Sequence, residues 1–208
     1  RRTDLGFTRG VEANPTRTAV QADGAAYGKW RTGRHELSLS YNGGGYKLDG
    51  AQSTETADYT LNDGSIYTIK RNDELTRRKQ ISNTAKLTYN WVDSTAQVFQ
   101  VSLSGSFNKT PGNHSVKAIT DGWDCYTAMS TERGRGNSPV ADLYYFRQIT
   151  PRQSITANAV GTYIFTKSYN YYDEGTAIIN NVSGRSGSVL SEVIYENMLK
   201  PFTLSSGV

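Results

Sequence analysis

The chain of 208 residues carries 23 Lys and Arg against 19 Asp and Glu, a net charge of +4, and only 36% of its residues are hydrophobic. The charges are scattered rather than gathered in one block, which argues against a nucleic-acid surface, and the single cysteine, Cys125, leaves no internal disulfide framework. No apolar run approaches the roughly 18 residues of a membrane helix, so any membrane contact falls to strands, a state that Tyr at 14 of 208 residues also favours.

Period-two alternation recurs along the chain and helical periodicity is nearly absent. A first strand is expected from about Arg17 to Trp30, followed by a turn at Arg31-Thr32-Gly33-Arg34. In the next strand Leu37, Leu39 and Tyr41 oppose Glu36, Ser38, Ser40 and Asn42. A polar connection then covers about 47–79, within which Asn62-Asp63-Gly64 is suited to closing a projecting hairpin.

Ile81, Ala85, Leu87, Tyr89 and Trp91 alternate with Ser82, Thr84, Lys86, Thr88 and Asn90, and Val92-Asp93-Ser94-Thr95 turns into the clearest strand of all. There, between Gln97 and Asn108, Phe99, Val101, Leu103, Gly105 and Phe107 share one face, while Gln100, Ser102, Ser104 and Ser106 share the other. A polar connection covers about 109–137. The stretch Pro139 to Ile149 leaves its facing open, because Tyr144, Tyr145 and Phe146 run together.

After the turn Thr150-Pro151-Arg152, Ile155, Ala157, Ala159, Gly161, Tyr163 and Phe165 oppose Ser154, Thr156, Asn158 and Thr162. A third polar connection covers about 167–185. Val189, Val193 and Tyr195 then alternate with Ser188, Glu192 and Glu196, and Met198-Leu199-Lys200-Pro201 turns into a last strand at Phe202-Thr203-Leu204-Ser205.

Short and long connections therefore alternate strictly, as they do in transmembrane barrels with short periplasmic turns and long extracellular loops. The strands read as ten to fourteen residues by alternation, beyond the usual five or six or so and enough for the roughly 9–11 that cross a bilayer at a tilt. The expected fold is an all-β, antiparallel, up-and-down transmembrane β-barrel segment, with residues 1–208 as part of one outer-membrane barrel domain and no plug domain. The polar face implies an interior holding water or a plug, hence a wide barrel. About nine strands would form only a portion of it. The start at Arg1-Arg2, without an initiator Met or signal peptide, fits a mature product or an internal piece.

Two stretches, Gly33-Arg34-His35-Glu36-Leu37-Ser38-Leu39-Ser40-Tyr41 and Leu143-Tyr144-Tyr145-Phe146-Arg147-Gln148-Ile149-Thr150-Pro151-Arg152-Gln153-Ser154, resemble the barrel portion of TonB-dependent outer-membrane receptors. The resemblance covers most of the chain and rests on texture rather than on a diagnostic motif. It implies a 22-stranded barrel around an N-terminal plug, nutrient uptake driven through TonB, location in the bacterial outer membrane, and a surface lipoprotein among the partners. It places this piece within the barrel, short of the C-terminal strand.

Candidate sites follow from the same pattern. Phe99, Val101, Leu103, Phe107, Ile155, Tyr163 and Phe165 are expected to face lipid. Trp123, Tyr126, Tyr169, Tyr171 and Tyr172 fall in the polar connections, where they suit contact with a ligand or partner, while Trp30, Tyr89, Trp91 and Tyr163 suit an interfacial aromatic girdle. His35 and His114 stand apart, Cys125 has no His beside it, and Asp121-Gly122-Trp123-Asp124 lacks the spacing of a calcium loop. No catalytic, metal or cofactor site is assembled from them. The sequons at Asn108, Asn113 and Asn181 carry little weight in a bacterial barrel. The leading expectation is a receptor or transporter for a nutrient of unread identity. A barrel in an outer-membrane assembly and a soluble carbohydrate-binding β-sandwich are the alternatives.

Overall fold

The computed structural model describes residues 6–16, 20–94, 96–122, 124–199 and 202–207. They form one ten-stranded antiparallel sheet: β1 Gly6–Thr16, β2 Val20–Thr32, β3 His35–Asp49, β4 Thr54–Thr60, β5 Ile66–Ser94, β6 Gln97–Asp121, β7 Asp124–Thr150, β8 Gln153–Asp173, β9 Ala177–Leu199 and β10 Phe202–Gly207. Each strand pairs with the next in sequence, except that β3 pairs with β5 while the short β4 lies against the start of β5. The path is up-and-down and open, with β1 and β10 at its edges.

The described residues form no second layer. Among the described residues only Ile119 and Ala128 are buried hydrophobics, so these residues lack the packed core that a β-sandwich requires, and the sandwich alternative fails on this point.

One expectation changes in form. The polar segments at 109–137 and 167–185 are continuations of the strands, not irregular loops. β6 runs to Asp121 and β7 begins at Asp124, and β8 runs to Asp173 with β9 beginning at Ala177. The segment 47–79 likewise divides among the end of β3, the β4–β5 hairpin and the long start of β5. Strands β5 to β9 are thus 21 to 29 residues long. The physical reason is that Ser, Thr, Asn and Gly on both faces erase the alternation of hydrophobicity but do not prevent a backbone ladder that is paired on both sides.

At the other end the turns are tight. Gly33, at φ 55°, and Arg34 join β2 to β3; a positive φ in a two-residue hairpin turn is where glycine is favoured. Pro151 and Arg152 join β7 to β8. Each turn is tied sideways to the next hairpin: the amides of Val92, Gln148 and Met198 donate to the carbonyls of Arg34, Ala96 and Arg152 at 2.9, 2.7 and 2.8 Å. Arg34 also pairs with Asp93. Strands β5, β7 and β9 are therefore locked in register at the turn end.

β6 carries one extra residue at Pro111-Gly112 relative to both neighbours, a β-bulge. Proline has no N–H to give to the ladder. Beside it, the side chain of Asn113 substitutes for backbone: its Oδ1 accepts from the Lys79 amide at 2.8 Å, and its Nδ2 donates to Glu132 Oε2 at 3.1 Å.

Candidate functional site

Because side chains alternate across a strand and paired residues share a face, the register fixes which residues are neighbours. One row runs Phe7, Trp30, Leu37, Tyr89, Val101, Leu143, Ala159 from β1 to β8. The row nearer the tips reads Leu39, Leu87, Leu103, Ala141, Gly161, Val189. The row nearer the turns reads Trp91, Phe99, Tyr145, Ala157, Val193. These rows make an apolar belt, interrupted on β9 where Ser191 pairs with Ala159 between Val189 and Val193. Phe99, Val101, Leu103, Phe107, Ile155, Tyr163 and Phe165 all lie on its face. No described residue covers it: Leu39, Leu103 and Val189 are 54%, 49% and 81% exposed.

The belt has a definite height. From Phe99 to Phe107 is about 27 Å along the strand at roughly 3.4 Å per residue. A tilt of about 40° reduces that to roughly 21 Å, near the apolar band of about 25 Å typical of membrane barrels.

Its borders are aromatic, and their hydroxyls point away from its middle. The Tyr89 hydroxyl lies 2.8 Å from His35 Nδ1, and Gln97 Nε2 donates to the Tyr145 hydroxyl at 3.2 Å; both partners stand one row closer to the turns. At the opposite border the Tyr41 hydroxyl donates to Asn83 Oδ1 at 2.6 Å, one row closer to the tips. Gly43 makes this possible, because a Cβ there would stand 2.6 Å from that hydroxyl. Arg135 and Arg185 place their guanidinium carbons 5.1 and 5.7 Å from the Phe165 ring centre on the tip side of the belt.

The opposite face is polar and laterally bonded. Ser38, Thr88, Ser102 and Asp142 form one row. Ser106 and Ser138 stand 2.6 Å apart, as do Thr162 and Ser188, and Ser82 donates to Asn108 at 2.7 Å. Lys29 pairs with Glu36 at 2.9 Å. Val140, Val160 and Leu190 interrupt this face on β7 to β9. A hollow of about 490 Å³ on its β1–β5 side is lined by Glu12, Gln21, Asp23, Asn42, Tyr46 and Ser82 among others. The undecided run on β7 resolves here, with Tyr145 on the belt and Tyr144 and Phe146 on the polar face.

The aromatic set expected in the polar connections divides. Tyr126 and Tyr172 lie on the polar face and both bond Glu174, Tyr126 at 3.2 Å. Arg71 Nη2 stands 3.7 Å from the same carboxylate. Arg71 and Tyr126 flank Ile119 in register, so the three groups close over Ile119, which is 0% exposed. Partial desolvation, with Glu174 as hydrogen-bond acceptor, raises the Tyr126 phenol above its ordinary value. Tyr169 and Tyr171 sit on the other face, where Tyr171 donates to Asp173 at 2.9 Å and its phenol is raised by that bond. Trp123 lies outside the described residues.

His114 is 3.2 Å from Thr131 Oγ1, and Cys125 is exposed with Sγ 3.8 Å from Thr120 Oγ1. Among the described residues no group of three or more His, Cys, Asp or Glu is placed to hold a metal ion. The Glu174 cluster and the belt's hydroxyl orientation were not foreseen, since each joins residues that meet only through strand pairing.

No family model and no curated protein matches the chain. Among solved structures it is similar to the ferric yersiniabactin uptake receptor FyuA from Yersinia pestis, at 10% identity and a TM-score of 0.46, over 92% of this chain and 39% of that one. The all-β, antiparallel up-and-down architecture rests on the strand ladder itself, not on this likeness.

Proposed function

We propose that the sheet is part of the wall of a bacterial outer-membrane β-barrel, with the belt against lipid and the polar face toward the barrel interior. The observation that carries this reading is the belt: apolar across eight strands, of bilayer height, and bordered on both sides by tyrosines whose hydroxyls point away from its middle. A protein interior would give no reason for opposite borders to orient their hydroxyls in opposite directions, whereas two membrane–water interfaces do. Unpaired edges in hydrocarbon leave backbone groups that cost several kcal/mol each, so the reading has β1 and β10 paired with further strands of the barrel.

Within that reading the function is receptor or transporter. The polar face, with its cross-strand hydrogen bonds and the hollow beside Glu12, Asp23 and Asn42, suits a hydrated interior or one lined against a plug. Nutrient uptake dependent on TonB is the specific form proposed.

The test is fluorescence quenching. The protein carrying Trp123→Phe is reconstituted in vesicles whose acyl chains are brominated at different depths. Trp30 and Trp91 lie near the turn-side border, so shallow bromines are expected to quench more than deep ones. Emission indifferent to bromine at any depth would overturn the reading.

A further inference from the structure

Apart from Lys117, which lies on the polar face near Asp73, charge on β6 to β9 is segregated by face. On the belt side, Lys109, Arg135 and Lys167 are cross-strand partners, Arg133 follows one row beyond toward the tips, and Arg185 pairs with Phe165 one row before. None of the five forms an ion pair with a described residue. The one carboxylate on that face of these strands is Asp173, at the far tip and bonded by Tyr171. Glu132, Asp142, Glu192 and Glu196 all lie on the other face.

The position of the cluster is as telling as its charge. Lys109, Arg135 and Lys167 stand one row beyond Phe107 and Phe165, about 7 Å along the strand from the belt's aromatic border. The bulge at Pro111-Gly112 interrupts the ladder beside them, and a shallow cavity of about 470 Å³ opens there, lined by Lys109, Arg133, Arg135, Lys167, Tyr169 and Asn181 among others. Both Tyr169 and Asn181 add hydrogen-bonding groups to a cationic floor.

We propose that this cavity binds the phosphate of an anionic lipid whose acyl chains lie along the belt. Four cations that form no ion pair with a described residue, Lys109, Arg133, Arg135 and Lys167, line it and supply the charge, and arginine and lysine together bind phosphate oxygens well. An acidic peptide or a nucleic acid would use the cations but not the contiguous apolar surface below them. A phosphorylated lipid uses both. The inference rests on the membrane reading above.

The experiment places the protein in phosphatidylcholine nanodiscs and titrates diphosphoryl lipid A, the same lipid stripped of its phosphates, and inorganic phosphate. Binding of the first, with neither binding of the second nor its displacement by the third, is expected. With each surface cation contributing on the order of 1 kcal/mol, Arg135→Gln with Lys167→Gln should weaken binding about thirtyfold. Equal binding of the phosphorylated and stripped lipids, full displacement by inorganic phosphate, or an unaffected double variant would each overturn the proposal. Brominated-lipid quenching of Trp30 and Trp91 is recorded on the same samples. If quenching persists while phosphate selectivity is absent, only this inference falls; if quenching is absent, the membrane reading falls with it. Unchanged quenching in the double variant shows that it still folds and inserts.

Discussion

The Tyr126 hydroxyl donates to Glu174 Oε1 at 3.2 Å, joining the start of β7 to the turn between β8 and β9. Arg71, on β5, approaches the same carboxylate at 3.7 Å from across β6, and the three groups together cover Ile119. The rim of the long hairpins is thereby a closed unit rather than a set of free loops. Glu174→Ala should release it, and hydrogen exchange at the amides around Ile119 should rise while exchange at the belt stays unchanged. Ile119→Ala should cost about 2–5 kcal/mol, the usual range for emptying a fully buried Ile site, as read from urea unfolding. Exchange at Ile119 that ignored Glu174→Ala would show that the cover is not what buries it.

The same bond gives a pH dependence. The Tyr126 phenol is raised above its ordinary 10.0, first by desolvation and then by its bond to Glu174. The folded rim therefore holds that proton more tightly than the unfolded chain does. The contribution is complete below the ordinary value and is lost as pH rises through the raised one. Phenolate absorbance should show Tyr126 and Tyr171 titrating late in the wild-type protein; in Glu174→Gln Tyr126 alone should shift toward its ordinary value, and only part of the way, because its desolvation remains.

Asn113 makes a second test, at the bulge. Its Oδ1 is the acceptor for the Lys79 amide, so Asn113→Ala leaves that donor without a partner beside Pro111. The expected loss is about 1–3 kcal/mol if the amide stays dry, with faster exchange at Lys79 as its local signature. Asn113→Asp combined with Glu132→Gln keeps the acceptor, gives the second oxygen a donor in place of the Glu132 carboxylate, and should restore slow exchange at Lys79. Equal exchange in all three proteins would mean that water serves the amide as well as Asn113 does.

Why some of this was legible in the sequence and some was not follows from periodicity. Phe99 to Phe107 and Ile155 to Phe165 alternate with Ser and Thr, so their shared face could be read directly. The stretches around Asn113, Arg133 and Asn181 are polar on both sides. Nothing there marks a strand until its neighbours' backbones are known to pair with it. The Arg71–Glu174 cluster and the row Lys109, Arg135, Lys167 join residues far apart in sequence. One residue of register shift would scatter them, and the Pro111-Gly112 bulge makes such a shift within β6.

The β4–β5 hairpin was readable, because Asn62-Asp63-Gly64 carries its own turn chemistry. Gly64 has φ 81° and its amide donates to the Leu61 carbonyl at 2.9 Å. Asp63 Oδ1 accepts from the Ser65 hydroxyl at 2.5 Å and from its amide at 2.9 Å. Those bonds hold the Asp63 carboxyl below its ordinary 3.8. Its contribution is therefore present above that value and is lost as pH falls through the lowered one. Acid should fray this hairpin in the wild-type protein, seen as a loss of dispersion in the Gly64 and Ser65 amide resonances. In Asp63→Ala the turn should be frayed already at neutral pH.

The most demanding prediction concerns which face meets which medium. Val101 lies in the belt between Tyr89 and Leu143, one row to the turn side of its middle at Leu103, and Ser104, three positions on, lies on the polar face between Lys86 and Val140. Val101→Arg should cost roughly 2–4 kcal/mol in a lipid-reconstituted protein, the cost of an arginine near the midplane on a lipid-facing wall. Ser104→Arg places the same charge at a similar depth but toward the other side, where hydroxyls and water accommodate it, and should cost less than about 1 kcal/mol. Urea titration of both variants in vesicles measures the difference directly. Repeating it in a thinner bilayer should shrink the Val101→Arg penalty as the guanidinium reaches the interface, and leave Ser104→Arg unmoved. Equal penalties at the two sites would mean that lipid does not lie against the belt, because an arginine in hydrocarbon costs more than one set among hydroxyls and water.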